Sequence, residues 1–188
     1  MTKKLNEMSI EELWQLFPIF LVKHNEKWKS WFDIEKKIIL SIIPSDIEIR
    51  ISHIGSTAVP NIYAKNIVDI LLEVNNLEEI QNVKKVLVDN GYILMSEEEV
   101  RVSLNKGYTE NGFAEKVFHL HIRLFGDNDE LYFRDYLIEN PDVARAYEEL
   151  KLSLWKKYEH DRDGYTNAKG EFIKKNTQIA KEVYKVKY

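Results

Sequence analysis

The sequence predicts an α+β fold: a mixed β-sheet packed by helices, with helical segments at both ends. Three observations carry this. Apolar residues recur at helical spacing through residues 28–42. Residues 67–74 form a nearly unbroken β-branched and aliphatic run, with a helix signal directly after it. From residue 140 onward the patterning is helical alone.

Ser9 and Glu12 have capping-box spacing and open a short helix that Pro18 ends or bends. Asn25 can cap a second helix, whose Trp28, Trp31, Phe32, Ile38, Ile39 and Ile42 recur on one face. Pro44 and Asp46 mark a turn. Ile47, Ile49 and Ile51 then alternate with Glu48, Arg50 and Ser52, a half-buried strand that runs into a small-residue turn at 53–57. Residues 67–74 read as a central strand, interrupted by Asp69. Asn76 caps a helix carrying Ile80, Val83 and Leu87, and Gly91 supplies its stop. Strands are expected at 92–95 and 100–105, then a polar loop at 107–112. A strand at 116–125 follows, with Val117, His119, His121 and Arg123 on one side. Asn140 before Pro141 opens a helix with Val143, Ala146, Tyr147, Leu150 and Leu154 in its stripe. A last helix holds Phe172, Ile173, Ile179 and Val183.

The length, 188 residues, suits one domain, and 44% hydrophobic residues suffice for one ordinary core. The seven Gly and four Pro are too few to suggest a flexible linker. Without cysteine, disulfides and thiolate metal centres are excluded. A net charge of −4 argues against general nucleic-acid binding, although a local basic patch remains compatible with it. The opening residues MTKKLNEMSIEELW precede no apolar run of signal-peptide length, and no run approaches the roughly 20 residues of a membrane span. The expected compartment is the cytoplasm, with no membrane partner.

Several segments together resemble one family. They are His53-Ile54-Gly55-Ser56-Thr57-Ala58-Val59-Pro60, with Ala64-Lys65 and Ile67-Val68-Asp69-Ile70; Lys106-Gly107-Tyr108-Thr109, with Gly112-Phe113-Ala114 and Phe118-His119-Leu120-His121; Phe133-Arg134-Asp135-Tyr136-Leu137 with Asn140-Pro141; and Tyr165-Thr166, with Ala168-Lys169 and Phe172-Ile173. In order and number these are similar to the GrpB family, a branch of the nucleotidyltransferase superfamily. The resemblance runs from about residue 24 to residue 176 and leaves residues 1–23 as an N-terminal helical extension. It implies a nucleotidyltransferase-like fold. In that superfamily a Gly-Ser turn after one strand holds phosphates, and acidic residues on the next strand bind divalent metal. Some family members are fused to dephospho-coenzyme A kinase.

The same residues carry a physical reading. Gly55 lets the backbone approach a ligand, and Ser56 and Thr57 add hydroxyl donors. A tight turn needed only for folding is the plainer alternative. Asp69 lies within an apolar strand, where an unpaired carboxylate is costly. It is ion-paired, hydrogen-bonded, or a ligand for a divalent metal, Mg or Mn. The superfamily pattern wants a second carboxylate two residues later, where this chain has Leu71. Glu73 shares the face but lies roughly 13 Å from Asp69 along a strand. His119 and His121, with His53 or Asp69, can form a histidine–carboxylate site, bond phosphate or act as a base; they can equally be half-buried imidazoles bonded to backbone. Lys65, Lys106, Arg123 and Lys169 are candidate phosphate partners, and Tyr108 and Tyr165 can stack on a base or hydrogen-bond a ligand.

The expectation is metal-dependent nucleotidyl or phosphoryl transfer from a nucleoside triphosphate. Asp69, His119 and His121 would serve as catalytic and metal-binding residues. The alternative is a non-catalytic module that binds a nucleotide or other phosphorylated small molecule. A protein scaffold ranks last, because no exposed apolar stripe demands one.

Overall fold

The structure is a computed structural model and describes residues 3–185, 187 and 188. The elements in order are α1 (Ile10–Leu16), β1 (Leu21–Val22), α2 (Lys27–Ile42), β2 (Arg50–Ile54), β3 (Ala64–Lys65), β4 (Val68–Val74), α3 (Leu77–Asp89), β5 (Ile93–Glu97), β6 (Val102–Thr109), β7 (Gly112–Leu124), α4 (Asp129–Glu139), α5 (Pro141–Trp155), α6 (Arg162–Ala168) and α7 (Gly170–Tyr184). The main sheet is mixed, in the order β2-β4-β7-β6-β5. Strand β4 runs antiparallel to β2 and parallel to β7, and the remaining pairs are antiparallel. Strands β1 and β3 form a separate antiparallel pair.

Local signals set most of these boundaries. Ser9 Oγ accepts from the Glu12 amide, Glu12 answers the Ser9 amide, and α1 ends before Pro18. Asn76 caps α3 through the Glu79 amide, and Gly91 follows its end with a φ of +91°. Among the described residues no helix is long and apolar enough to cross a membrane.

Alternation along the strands sorts the two sheet faces. On one face Ile51, Ile70, Leu72, Leu120 and Ile122 pack against Trp28, Trp31, Phe32 and Ile39 of α2 and Ile80, Val83 and Leu87 of α3. Burying each such side chain contributes about 1.5–3 kcal/mol. The opposite face carries Asp69, Leu71 and Glu73 on β4 beside His119, His121 and Arg123 on β7. Its apolar contact is small, with Ile54 and Leu71 meeting Leu131 of α4. Asp69 and His121 on that face therefore border a cleft, whereas Glu73 and Arg123 are buried.

Several expectations change. The first main-sheet strand starts at Arg50 and runs through Ile54, while Ile47 and Ile49 pack on the core outside it. The supposed polar loop at 107–112 is strand on both sides of a two-residue turn at Glu110 and Asn111. Gly107 has a φ of +89° where the register shifts between Lys106 and Tyr108, and a Cβ there would overlap the Lys116 carbonyl oxygen. It marks a bulge, not a loop. Ile38 is 41% exposed, and Glu35 takes a buried place on the inner face of α2. In α5 the buried alanine is Ala144, not Ala146, and Val183 of α7 is exposed. Residues 21–22 of the presumed helical extension are strand, paired with β3.

Candidate functional site

The site begins where β2 ends. Gly55 adopts φ +70° and ψ −173°, a conformation that only glycine takes without strain, and the chain enters a 3-10 turn at Ser56–Ala58. Register places Ile54 opposite Asp69, so the glycine meets the carboxylate, and a Cβ on Gly55 would overlap Asp69 Oδ2. Gly55, Ser56, Asp69 and His121 line one side of a cleft of about 890 Å³. Phe133 of α4, Tyr147 of α5, Thr166 of α6 and Ile173 of α7 line the other.

Parallel pairing sets Asp69 beside His119, with Oδ1 and Nδ1 3.2 Å apart. Burial works to raise the Asp69 pKa, but the hydrogen bond from His119 and the charges of His119, His121 and Lys65 win and hold it at about 2. A carboxylate only accepts, so His119 Nδ1 donates to it. His119 Nε2 then accepts from Tyr108 Oη at 2.8 Å and Arg162 Nη2 at 3.0 Å, while Arg162 Nη1 donates to Tyr108 Oη at 2.9 Å. Burial pushes the His119 pKa down against the pull of Asp69. The result is a directional chain from Arg162 through Tyr108 and neutral His119 to an ionised Asp69. Burial also lowers His121 to about 4, and its Nδ1 lies 3.2 Å from Ser103 Oγ.

Cations gather beside this chain. Lys65 and Lys169 place their ammonium groups 5.8 and 4.2 Å from the centre of the Tyr165 ring. Burial, with the charges of Arg162 and Lys169, lowers the Lys65 pKa to about 7. Burial lowers Lys169 to about 8, partly opposed by Asp69. Lys151 is buried, donates to the Tyr63 carbonyl, and sits over the Tyr147 ring at 4.9 Å. Burial lowers its pKa to about 7.

The structure thus brings together Gly55, Ser56, Asp69, His119 and His121, and next to them Lys65, Tyr108, Tyr165 and Lys169. It separates four other expected residues from them. His53 lies on the α2 face, stacked on Phe32 with ring centres 4.9 Å apart, and burial lowers its pKa to about 4. Thr57 is buried and bonded to His53 Nε2 at 2.9 Å, so its hydroxyl is spent on the fold. Lys106 pairs with buried Glu35 at 2.6 Å, on the α2 side of the sheet. Arg123 faces the right way, but its guanidinium bonds the Val102 and Ile122 carbonyls at the far end of β7. Arg162, Phe133 and a cleft-lining Tyr147 were not anticipated. Arg162 precedes the Tyr165-Thr166 motif by three residues, and its spacing alone carries no signal.

A histidine–carboxylate metal centre does not fit these donors. Both ring nitrogens of His119 are engaged by Asp69, Tyr108 and Arg162. Leu71 occupies the second acidic position, and Glu73 is fully buried, bonded by Arg50 at 2.5 and 2.6 Å and by Asn128 at 3.1 Å. Among the described residues no three His, Cys, Asp or Glu side chains group so as to hold a metal ion.

A mixed sheet with a Gly-Ser turn after one strand and an ionised acid on the next defines an α+β protein whose cleft opens at the end of that first strand. The family model described as GrpB protein matches residues 18–178, and the chain belongs to the GrpB family. It is 36% identical over 160 residues to the glutamate-rich protein GrpB of Alkalihalophilus pseudofirmus, covering 82% of this chain and 91% of that one. It is 32% identical over 177 residues to the UPF0157 protein YqkA of Bacillus subtilis, covering 93% of this chain and 50% of that protein. The crystal structure of conserved protein GrpB from Enterococcus faecalis superposes with a TM-score of 0.75 at 30% identity, covering 88% of this chain and 99% of that one.

Proposed function

We propose that the cleft beside Gly55, Ser56 and Asp69 binds a nucleotide or another phosphorylated small molecule. The charge pattern carries this reading. Lys65, Arg162 and Lys169 gather about the one carboxylate that lines the cleft, Asp69, without lining the cleft themselves, and none of the three has an ion-pair partner among the described residues. An anion with several acceptor oxygens is the chemical complement of such a cluster. The Ser56 hydroxyl adds a donor, and Phe133, Tyr147 and Ile173 offer an apolar wall suited to a base or other planar group. The local cluster exists despite a net charge of −4.

A second reading is nucleotidyl or phosphoryl transfer, and the ionised state of Asp69 favours it. Here Mg or Mn would arrive with the triphosphate and meet Asp69 as a single protein carboxylate. Leu71 at the second acidic position counts against it.

Thermal-shift measurements with nucleoside triphosphates, nucleoside monophosphates and unphosphorylated nucleosides test the first reading. Ligand at about 100 times its dissociation constant adds about 2.7 kcal/mol of stability. Phosphorylated compounds should raise the melting temperature and nucleosides should not, and Ser56→Ala should weaken the effect. Equal stabilisation by nucleosides would remove the phosphate from the account. Product formation with Mg or Mn, lost in Asp69→Asn, would establish the second reading.

A further inference from the structure

We infer that this protein neutralises its ligand's phosphate chain with Lys65, Lys169 and Arg162 in place of a divalent cation, so that the species bound is the metal-free polyphosphate. The inference rests on the proposed phosphate site and specifies its chemistry.

Two independent sets of observations meet here. The first is a set of donors without acceptors. The Lys65 and Lys169 ammonium groups both approach the face of Tyr165, and a ring face satisfies none of an ammonium's three N–H groups. Neither lysine has a hydrogen-bond or ion-pair partner among the described residues. Tyr165 itself is fully buried, and its hydroxyl has no partner among those residues. A buried hydroxyl of this kind ordinarily has one. Three cations crowded around the single carboxylate of Asp69 carry excess positive charge, and the lysine pKa values, lowered chiefly by burial and also by the neighbouring cations against the pull of Asp69, register that excess. A phosphate chain would offset the excess positive charge and accept from the two lysine ammonium groups.

The second set concerns the metal side, which lacks what the cationic side has in excess. The fully buried Leu71 sits where a second carboxylate would share a cation with Asp69. Across the parallel register from Asp69 stands His119, already bonded at both nitrogens. A Mg²⁺ ion bound to the ligand would also remove negative charge that the lysines are placed to meet.

Calorimetric titration of the full chain with inorganic tripolyphosphate, in EDTA and then with excess Mg²⁺, tests this. Binding is expected in EDTA, to weaken at least about fivefold with Mg²⁺, and to weaken about tenfold or more in Lys65→Gln and in Lys169→Gln. The comparison on the unmodified protein needs no variant to fold. Binding of tripolyphosphate or ATP that requires Mg²⁺ would overturn the inference and leave the proposed phosphate site standing. Unchanged affinity in both lysine variants would overturn it as well. Absence of binding by tripolyphosphate and by ATP under both conditions would sink the inference and the proposed function together.

Discussion

Alanine at Gly55 tests whether the turn is wedged against Asp69. Gly55 sits at φ +70° and ψ −173°, and the strain of a side chain in that region is about 1–3 kcal/mol. The added Cβ would also overlap Asp69 Oδ2, and forced overpacking of this kind adds about 1–3 kcal/mol. A combined loss of about 3 kcal/mol corresponds to a melting temperature lower by roughly 6–12 °C for a chain of this size. Gly91→Ala is the internal control. Its φ is +91° but nothing lies within 4 Å of a Cβ there, so it isolates backbone strain. Thermal melts followed by circular dichroism should rank wild type above Gly91→Ala and Gly91→Ala above Gly55→Ala. In an Asp69→Ala background the Gly55→Ala penalty should shrink by about 1 kcal/mol or more, since the overlapping group is gone. A Gly55→Ala melt within 1 °C of wild type, or a penalty indifferent to Asp69, would refute the reasoning.

Three further outcomes follow from the buried charges. Burial and the neighbouring cations lower the Lys65 pKa from the ordinary 10.5 to about 7 in the folded protein, so the unfolded chain binds more protons between those values. The charged lysine therefore costs stability at neutral pH, and Lys65→Met should melt higher near pH 7, with the gap closing as pH rises toward 10.5. His53 and His121 are depressed from 6.5 to about 4, so their contribution is complete above pH 6.5 and lost as pH falls to 4. Urea titrations across that range should show declining stability, flattened in part by His121→Gln. Glu73→Ala should cost about 1–3 kcal/mol in denaturant titrations, because it strands the buried Asn128 amide while Arg50, a third exposed, regains water, yet change tripolyphosphate affinity less than twofold.

The helices were legible because their signals are local. Ser9, Asn76 and Gly91 act within one turn, and the Trp28, Trp31 and Phe32 face follows from periodicity. The 107–112 segment misled because Gly107 serves a bulge whose need arises only from the paired strand: its constraint is the Lys116 carbonyl, across the hairpin. Within the site, parity along a single strand foresaw that His119 and His121 share a side. The same parity, applied to β2, would have set His53 with Ile51 on the core face. Lys106 and Arg162 were beyond reach of such counting. Glu35, the partner of Lys106, lies 71 residues away, and Arg162 meets His119 and Tyr108 only because α6 folds back over β7 and β6. The missing second carboxylate was readable from Leu71. That both His119 nitrogens are engaged was not, since their partners come from three other elements.

The most direct test of the phosphate site is a crystal structure of the protein grown with saturating ATP in EDTA. The account predicts phosphate oxygens within hydrogen-bonding reach of Ser56 and Lys169, with the base against Phe133 and Ile173. Ordered ATP bound elsewhere on the molecule, with the Lys65–Lys169 cluster untouched, would contradict it.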